Sequence, residues 1–377
     1  MITENLKNIP GWSSKERLVA FAVDDYGNVR LHSPEAKQTL RRQFGPPSNR
    51  FDGFDALETR EDLERLYEVL SSVSDREART AVFSPYAVSM NLDFSLINRT
   101  HDKVLPLEAL STTFQKLEAD HPTEYAGVPS LWREGIRAGL LSPEYHGPVH
   151  FSTHRVEGWL KDGFPEFEAA LAVQSVVLFG QRTKRSSGWT AAFADAPEGS
   201  ANSRLAHEFS AGMQAFREHN QLEPTAFTPP AHVFPRHLLD IVKSNGLKFI
   251  DLPRMLPSEP GAARPWQRLM WSGRKLAPGL RALTRNVVFE PCDGGGDSVR
   301  KAMRQIEASF RFRKPAIVSS HRVNFAGRID PKNREHGLGA LSDLLKAIIK
   351  RWPDVRFVSV RDLAERIDRG VARGANV

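Results

Sequence analysis

Leu18-Val-Ala-Phe-Ala-Val-Asp24-Asp25-Tyr26-Gly27 is the stretch that decides the fold. The run Leu18–Val23 is apolar without interruption and stops at two acids, an aromatic and a glycine. A short run of this kind reads as a buried strand that ends in polar residues. In α/β folds with parallel strands, functional groups gather at the carboxyl ends of the strands. Asp24 and Asp25 stand there. A turn cap is the plain alternative, because Asp is a common turn residue. Adjacent residues on an ideal strand point to opposite faces. Both acids can therefore serve one site only if the strand ends or bends at Tyr26-Gly27.

Outward from this strand, strand and helix patterns alternate. Phe54–Ser74, Leu107–Asp120, Ser130–Ala138, Arg155–Val177 (broken at Gly163 and Pro165), Ser203–His219, His237–Gly246, Ser298–Phe310 and Leu338–Trp352 carry helical spacing. Arg79–Ser84, Thr225–Thr228, Leu247–Asp251, Asn286–Glu290, Ala316–His321 and Asp354–Ser359 read as strands. Pro85 begins a trailing loop, and His207 and His219 fall on the polar side of their helix. Such alternation predicts a parallel α/β barrel or sheet. With 377 residues the expected organisation is one α/β domain over 1–377. Two insertions are expected, a polar one at 180–202 and a basic one, rich in Pro and Gly, at 254–285.

Composition narrows the function classes. The 40% apolar fraction supports a core, and no stretch approaches the ~20 apolar residues of a membrane span. The N-terminus lacks the basic start and apolar block of a secretory signal, so a cytoplasmic location is expected. One cysteine, Cys292, excludes an intrachain disulfide. Net charge is +7, but the excess is diffuse and carries no nucleic-acid motif, so nucleic acid is not an expected partner.

Chemistry concentrates in His146-Gly-Pro-Val-His150. Two imidazoles four residues apart can share one face of a helical turn and hold one metal ion. Such a site needs a further ligand, often a carboxylate from elsewhere, and Asp25 is the candidate. His154 repeats the spacing. The first pair is preferred, because Gly147 suits a tight backbone and Pro148 a first helical turn. His321 ends the apolar strand Ala316–His321, and with Asp24 it is a candidate for acid–base work. Cys-Asp-Gly294-Gly-Gly296 lacks a phosphate-loop pattern and reads as a turn. Trp266 and Trp271 are either local packing or a platform for sugar rings.

At this point the chain resembles the polysaccharide deacetylase (NodB-like) superfamily, in a distant and expanded form. FAVDDYG stands where that family has a strand ending TFDDG. HGPVH stands for its His-(Ser/Thr)-x-x-His, and IVSSH for its last strand, ending Leu-x-His. Phe-Thr-Pro-Pro-Ala stands roughly at its Arg-x-Pro-Tyr motif. The order matches from Leu18 to about Ile367. The resemblance implies a distorted parallel (β/α) barrel. It implies one divalent metal, zinc, on Asp25, His146 and His150, with Asp24 as general base and His321 as general acid. It implies removal of an N- or O-acetyl group from a carbohydrate, with Pro229, Pro230 and Trp266 toward the substrate. Two departures stand out: Thr228 occupies the place of the motif's Arg, and no acid is evident to tune His321. Two other functions are weighed. One is a glycoside hydrolase pairing Asp24 or Asp25 with Asp251 or Glu290. The other is a non-catalytic carbohydrate-binding protein of a polysaccharide assembly system, which the missing Arg favours.

Overall fold

The computed structural model describes residues 2–97, 105–181, 183–193, 200–256, 268–294 and 297–372. Trp266 and parts of each expected insertion, 182 and 194–199 in the first and 257–267 in the second, lie outside these residues. In chain order the strands are β1 (Leu18–Tyr26), β2 (Phe83–Ala87), β3 (Met90–Leu92), β4 (Leu107–Ala109), β5 (Glu144–Tyr145) and β6 (Ala226–Phe227). They continue with β7 (Phe249–Asp251), β8 (Lys275–Ala277), β9 (Leu280–Leu283), β10 (Val287–Val288), β11 (Ala316–His321) and β12 (Arg356–Phe357).

The main sheet runs β10-β11-β1-β2-β5-β6-β7-β9-β8, and β12 pairs with the start of β1. All these pairings are parallel except the β8–β9 hairpin. One chain segment, Leu280–Val288, joins the two ends of this order. Its first part pairs with β7 and its second with β11. The sheet thus curls into a distorted parallel α/β barrel, with Thr284, Arg285 and Asn286 at the bend of the closing segment.

Period-two alternation along β1 sorts its side chains into two layers. Val19, Phe21 and Val23 join Phe83, Val318 and the surrounding helices in one apolar cluster. Leu18, Ala20 and Ala22 join Tyr86, Ala226, Phe249, Leu283 and Ile317 in another, which is the barrel interior. The interior is sealed at the amino ends of the strands by Trp12 and by Val360, Leu363 and Ile367 of the C-terminal helix Val360–Ala372. The next interior position on β1 is Asp24, at the opposite, carboxyl end.

Helix spacing found the long elements Arg60–Ser71, Leu110–Asp120, Val128–Arg137, Ser200–Asn220, Ser298–Arg311 and Pro331–Arg351, although the first starts six residues later and the last seven residues earlier than expected. Arg60–Ser71 starts where Thr59 and Asp62 form a capping box. Three expectations are corrected. Pro85 lies inside β2, where tertiary pairing outweighs its missing N–H. His146–His150 is an irregular turn, and the next helix starts only at Thr153. Gly147, at φ +98, prevents the helical turn.

The third correction is His219, which is buried rather than on a polar face. Its ring stacks on Phe114 at 5.8 Å and meets Trp132 edge-on. Burial and Arg133 push its pKa down to about 4. A depressed histidine pKa favours the neutral ring in the fold. Its contribution is present above the unfolded value, near 6.5, and is lost as pH falls toward 4. The loss is on the order of 3 kcal/mol. His219→Phe is therefore expected to flatten the fall in urea midpoint between pH 7 and pH 4. An unchanged acid limb would rule His219 out as its source.

Candidate active site

Asp25 adopts φ +75, the left-handed region that Asp tolerates better than most residues. The β1–β2 register shifts between Val23 and Tyr26. This bend turns Asp25 toward the same end of the barrel as Asp24. Gly27 follows at φ +74, and a Cβ there would lie 2.5 Å from the Val88 carbonyl oxygen. Only glycine fits, so the Asp-Asp-x-Gly order is a backbone requirement.

Asp25, His146 and His150 converge. Asp25 Oδ1 lies 3.0 Å from His150 Nε2 and 3.6 Å from His146 Nε2. All three residues are buried. His146 Nδ1 donates to the Thr228 carbonyl at 2.7 Å, which fixes the tautomer and leaves a lone pair on Nε2. That Nε2 is buried and has no hydrogen-bond partner among the described residues. An orphaned nitrogen beside a carboxylate and a second imidazole is a donor set that fits a divalent cation. Burial alone would raise the Asp25 pKa. The facing His150 and His146 instead hold it well below the ordinary carboxylate range. His154 is exposed and takes no part.

Asp24 and His321 face each other across the β1–β11 pairing, where they are register partners. His321 Nε2 lies 3.8 Å from Asp24 Oδ2. Asp24 accepts two hydrogen bonds from Arg285, Nη2 to Oδ1 at 2.6 Å and Nη1 to Oδ2 at 2.8 Å. Burial would lift its pKa, but the Arg285 guanidinium holds it at about 2. Arg285 also donates to Asp251 and to Thr228 Oγ1. The cation that Thr228 cannot supply thus comes from the bend between β9 and β10. The expected absence of a tuning acid is likewise corrected. Glu290 Oε1 lies 2.7 Å from His321 Nδ1. Its other oxygen accepts from Asn324 at 2.7 Å and from Arg50. Burial opposes charge on His321, but Glu290 outweighs it and lifts the pKa to about 9.

These five residues line a cavity of about 210 Å³, walled by Arg30, Phe51, Thr190, Pro229 and His232. Phe51 meets the His321 ring edge-on at 5.0 Å. Pro230 is buried and is not part of the wall. Sequence reasoning missed Arg285, Arg30 and Phe51. Arg285 had no local signal, because its partner is distant in the chain. Glu290 had one: it ends an apolar strand-like run, as Asp24 and His321 do.

No protein-family model matches the chain, and no curated protein does. Similar solved structures include the 4-alpha-glucanotransferase of Thermococcus litoralis, at 10% identity and TM-score 0.48. That match covers 92% of this chain and 40% of the glucanotransferase. A "probable polysaccharide deacetylase" of Pseudomonas aeruginosa matches at 10% identity and TM-score 0.44, over 93% of this chain and 91% of its own. A CE4 family pseudoenzyme of Bacillus anthracis matches at 9% identity and TM-score 0.40, over 93% and 66%. Likeness this loose assigns no chemistry, which rests on the site geometry.

Proposed function

We propose that this chain is a metal-dependent hydrolase that removes an acyl group, N- or O-acetyl, from a carbohydrate. One observation carries the reading. A buried carboxylate and two imidazoles, one with an orphaned nitrogen, stand beside an arginine-held carboxylate and a carboxylate-held histidine. The sugar and the acetyl group come from the motif resemblance. Asp25, His146 and His150 would hold the ion, and this donor set suits zinc. When bound, the ion supplies Lewis-acid polarisation of the acyl carbonyl and an acidified water.

The remaining work falls to the chain. Asp24, kept ionised by Arg285, accepts the proton of the attacking water. It gives up basicity for fixed charge and orientation. His321, kept protonated by Glu290 up to about pH 9, delivers a proton to the leaving amine or alcohol. Phe51 and Glu290 fix the plane of its ring. Pro229, and in the undescribed segment Trp266, would meet the sugar. Nothing supports the glycosidase pairing, since Asp251 and Glu290 are spent in ion pairs and neither lines the cavity. Arg285 places a cation beside Asp24, which weighs against the reading as a non-catalytic protein. The single cysteine suits a reducing compartment such as the cytoplasm.

The test has two parts. Purified protein is expected to carry close to one equivalent of metal, lost in His146→Ala and His150→Ala. Asp24→Asn is expected to keep the metal and lose about 10²–10⁴-fold in deacetylation of acetylated oligosaccharides. Wild-type turnover by that variant would remove Asp24 from the mechanism.

A further inference from the structure

The turn that leaves β6 holds a strained stretch of backbone beside the cavity. Ala231 at φ +55 and His232 at φ +56 are consecutive, and no other two neighbouring non-glycine residues among the described ones share the left-handed region. That region is costly for a residue with a Cβ and persists only where the surroundings enforce it. Here they do. Pro229 and Pro230 stiffen the entry, and the His232 N–H donates to the Pro229 carbonyl at 2.8 Å. Beyond the turn, Phe234 packs edge-on against Phe193 and Phe227, at 5.1 and 5.3 Å between ring centres.

The outcome is the placement of one ring. His232 lines the cavity together with Asp24, Asp25, His146 and His321, yet it is not in the metal-binding group. Its Nδ1 is buried and unpartnered. Its Nε2 has no partner among the described residues either, and it is the nitrogen left accessible. Burial, and after it Arg285, lower the pKa of the ring, so at pH 7 it is neutral and carries one proton. A buried N–H without an acceptor is rare, an unused lone pair less so. The proton therefore belongs on Nε2, where the cavity can offer an acceptor. After burial, the groups that act on the ring most are Arg285, Asp251, Asp24 and His146. These stand on the side of the base and the metal set. His321, assigned to the leaving group, is not among them.

We propose that the His232 Nε2–H donates a hydrogen bond to the carbonyl oxygen of the scissile acyl group and holds the oxyanion formed when water adds to it. This role rests on the acyl-hydrolase reading and goes beyond it, because neither the metal set nor the Asp24–His321 pair uses this residue. Addition of water moves the carbonyl π electrons onto that oxygen, so the bond strengthens as charge develops. The strained turn fixes the donor in place before substrate arrives.

Steady-state kinetics on N-acetylated and O-acetylated oligosaccharides test it, with metal content measured for every variant. His232→Phe is expected to keep the metal, to change KM by less than about threefold and to lower kcat by about 10²–10³-fold. His232→Gln retains an amide N–H near the place of Nε2 and is expected to recover about tenfold of that loss. Histidine-selective nitrogen NMR of the full chain should show the His232 ring, identified by its loss in His232→Gln, as the neutral Nε2–H tautomer at pH 7. His232→Gly is expected to hold or raise the urea midpoint, since glycine adopts φ +56 without strain. A midpoint well below wild type would make His232 a structural residue and overturn the proposal. Undiminished turnover in folded His232→Phe, a loss confined to KM, or a proton on Nδ1 would overturn it and leave the acyl-hydrolase reading standing. Where His232→Phe does not fold, the tautomer and the glutamine and glycine variants decide. No turnover of these saccharides by metal-loaded wild type would overturn the acyl-hydrolase reading, and this assignment with it.

Discussion

Replacing Arg285 with methionine is expected to cost both turnover and stability, and the two losses should carry different pH signatures. The guanidinium is 6% exposed on its side chain and sits between two buried carboxylates, Asp24 and Asp251. It also donates to the Ala22 carbonyl at 3.3 Å and to Ser319 Oγ at 3.2 Å, and it lies 5.2 Å from the centre of the Tyr86 ring. Removing it leaves two acids inside the barrel with no cation between them. Breaking one side of a buried pair typically costs about 3–5 kcal/mol, because the remaining charge is uncompensated.

In the wild type Asp24 is depressed to about 2. Its contribution is present above the unfolded carboxylate value and is lost as pH falls through about 2. In Arg285→Met burial is opposed only by His146 and His321, so the pKa rises and ionised Asp24 loses most of its stabilisation. The stability deficit should therefore shrink as pH falls from 7 to 4, as read from urea midpoints. Turnover should fall by about 10²–10⁴-fold at neutral pH, with partial recovery in Arg285→Lys. A variant as stable as wild type at pH 7, or a deficit that grows on acidification, would contradict the pairing.

Arg322→Met should be the most damaging substitution outside the cavity. Arg322 is 1% exposed. It donates to Asp55 through Nε at 3.0 Å and Nη2 at 3.1 Å, to Glu58 at 2.7 Å, and to the Asn28 carbonyl at 2.7 Å. Glu58 in turn accepts from the Gly27 backbone N–H at 3.2 Å. One guanidinium thus ties the turn that follows Asp25 to the loop before helix Arg60–Ser71. Truncation leaves Glu58 without its cation and Asp55 with only Arg30, at 3.5 Å, and a loss of about 3–5 kcal/mol is expected. Metal affinity should weaken as well, because the Asp25 backbone loses its anchor. Adding Asp55→Asn to Arg322→Met should cost less than the sum of the two single losses by about 1 kcal/mol or more. Strict additivity in denaturant unfolding would show that the two side chains act separately.

The residues legible in the sequence share one property: each carries a local signal. Leu18–Val23 and Ala316–Val318 announce buried strands by uninterrupted apolar runs. The groups that end them, Asp24 and His321, are marked by position alone. His146 and His150 are legible by spacing, although the turn that holds them is irregular rather than helical. Gly147 was read as a tight-backbone residue, and its positive φ is what excludes the helix. His219 shows the opposite failure. Its helix was found, but which face of that helix is buried depends on Phe114 and Trp132, which arrive from other elements.

The amino-acid sequence by itself determined the alternation of strand and helix, the bend allowed at Tyr26-Gly27, and the residue types gathered at strand ends. These follow from period, propensity and backbone sterics, which act over a few residues. Only the tertiary structure decided that Arg285 and Glu290 supply the cation and the acid that the motifs lack. Parallel strands bring the carboxyl ends of distant segments to one rim, so charge pairing there is chosen by register and barrel closure. A residue's neighbours in the chain have no part in that choice.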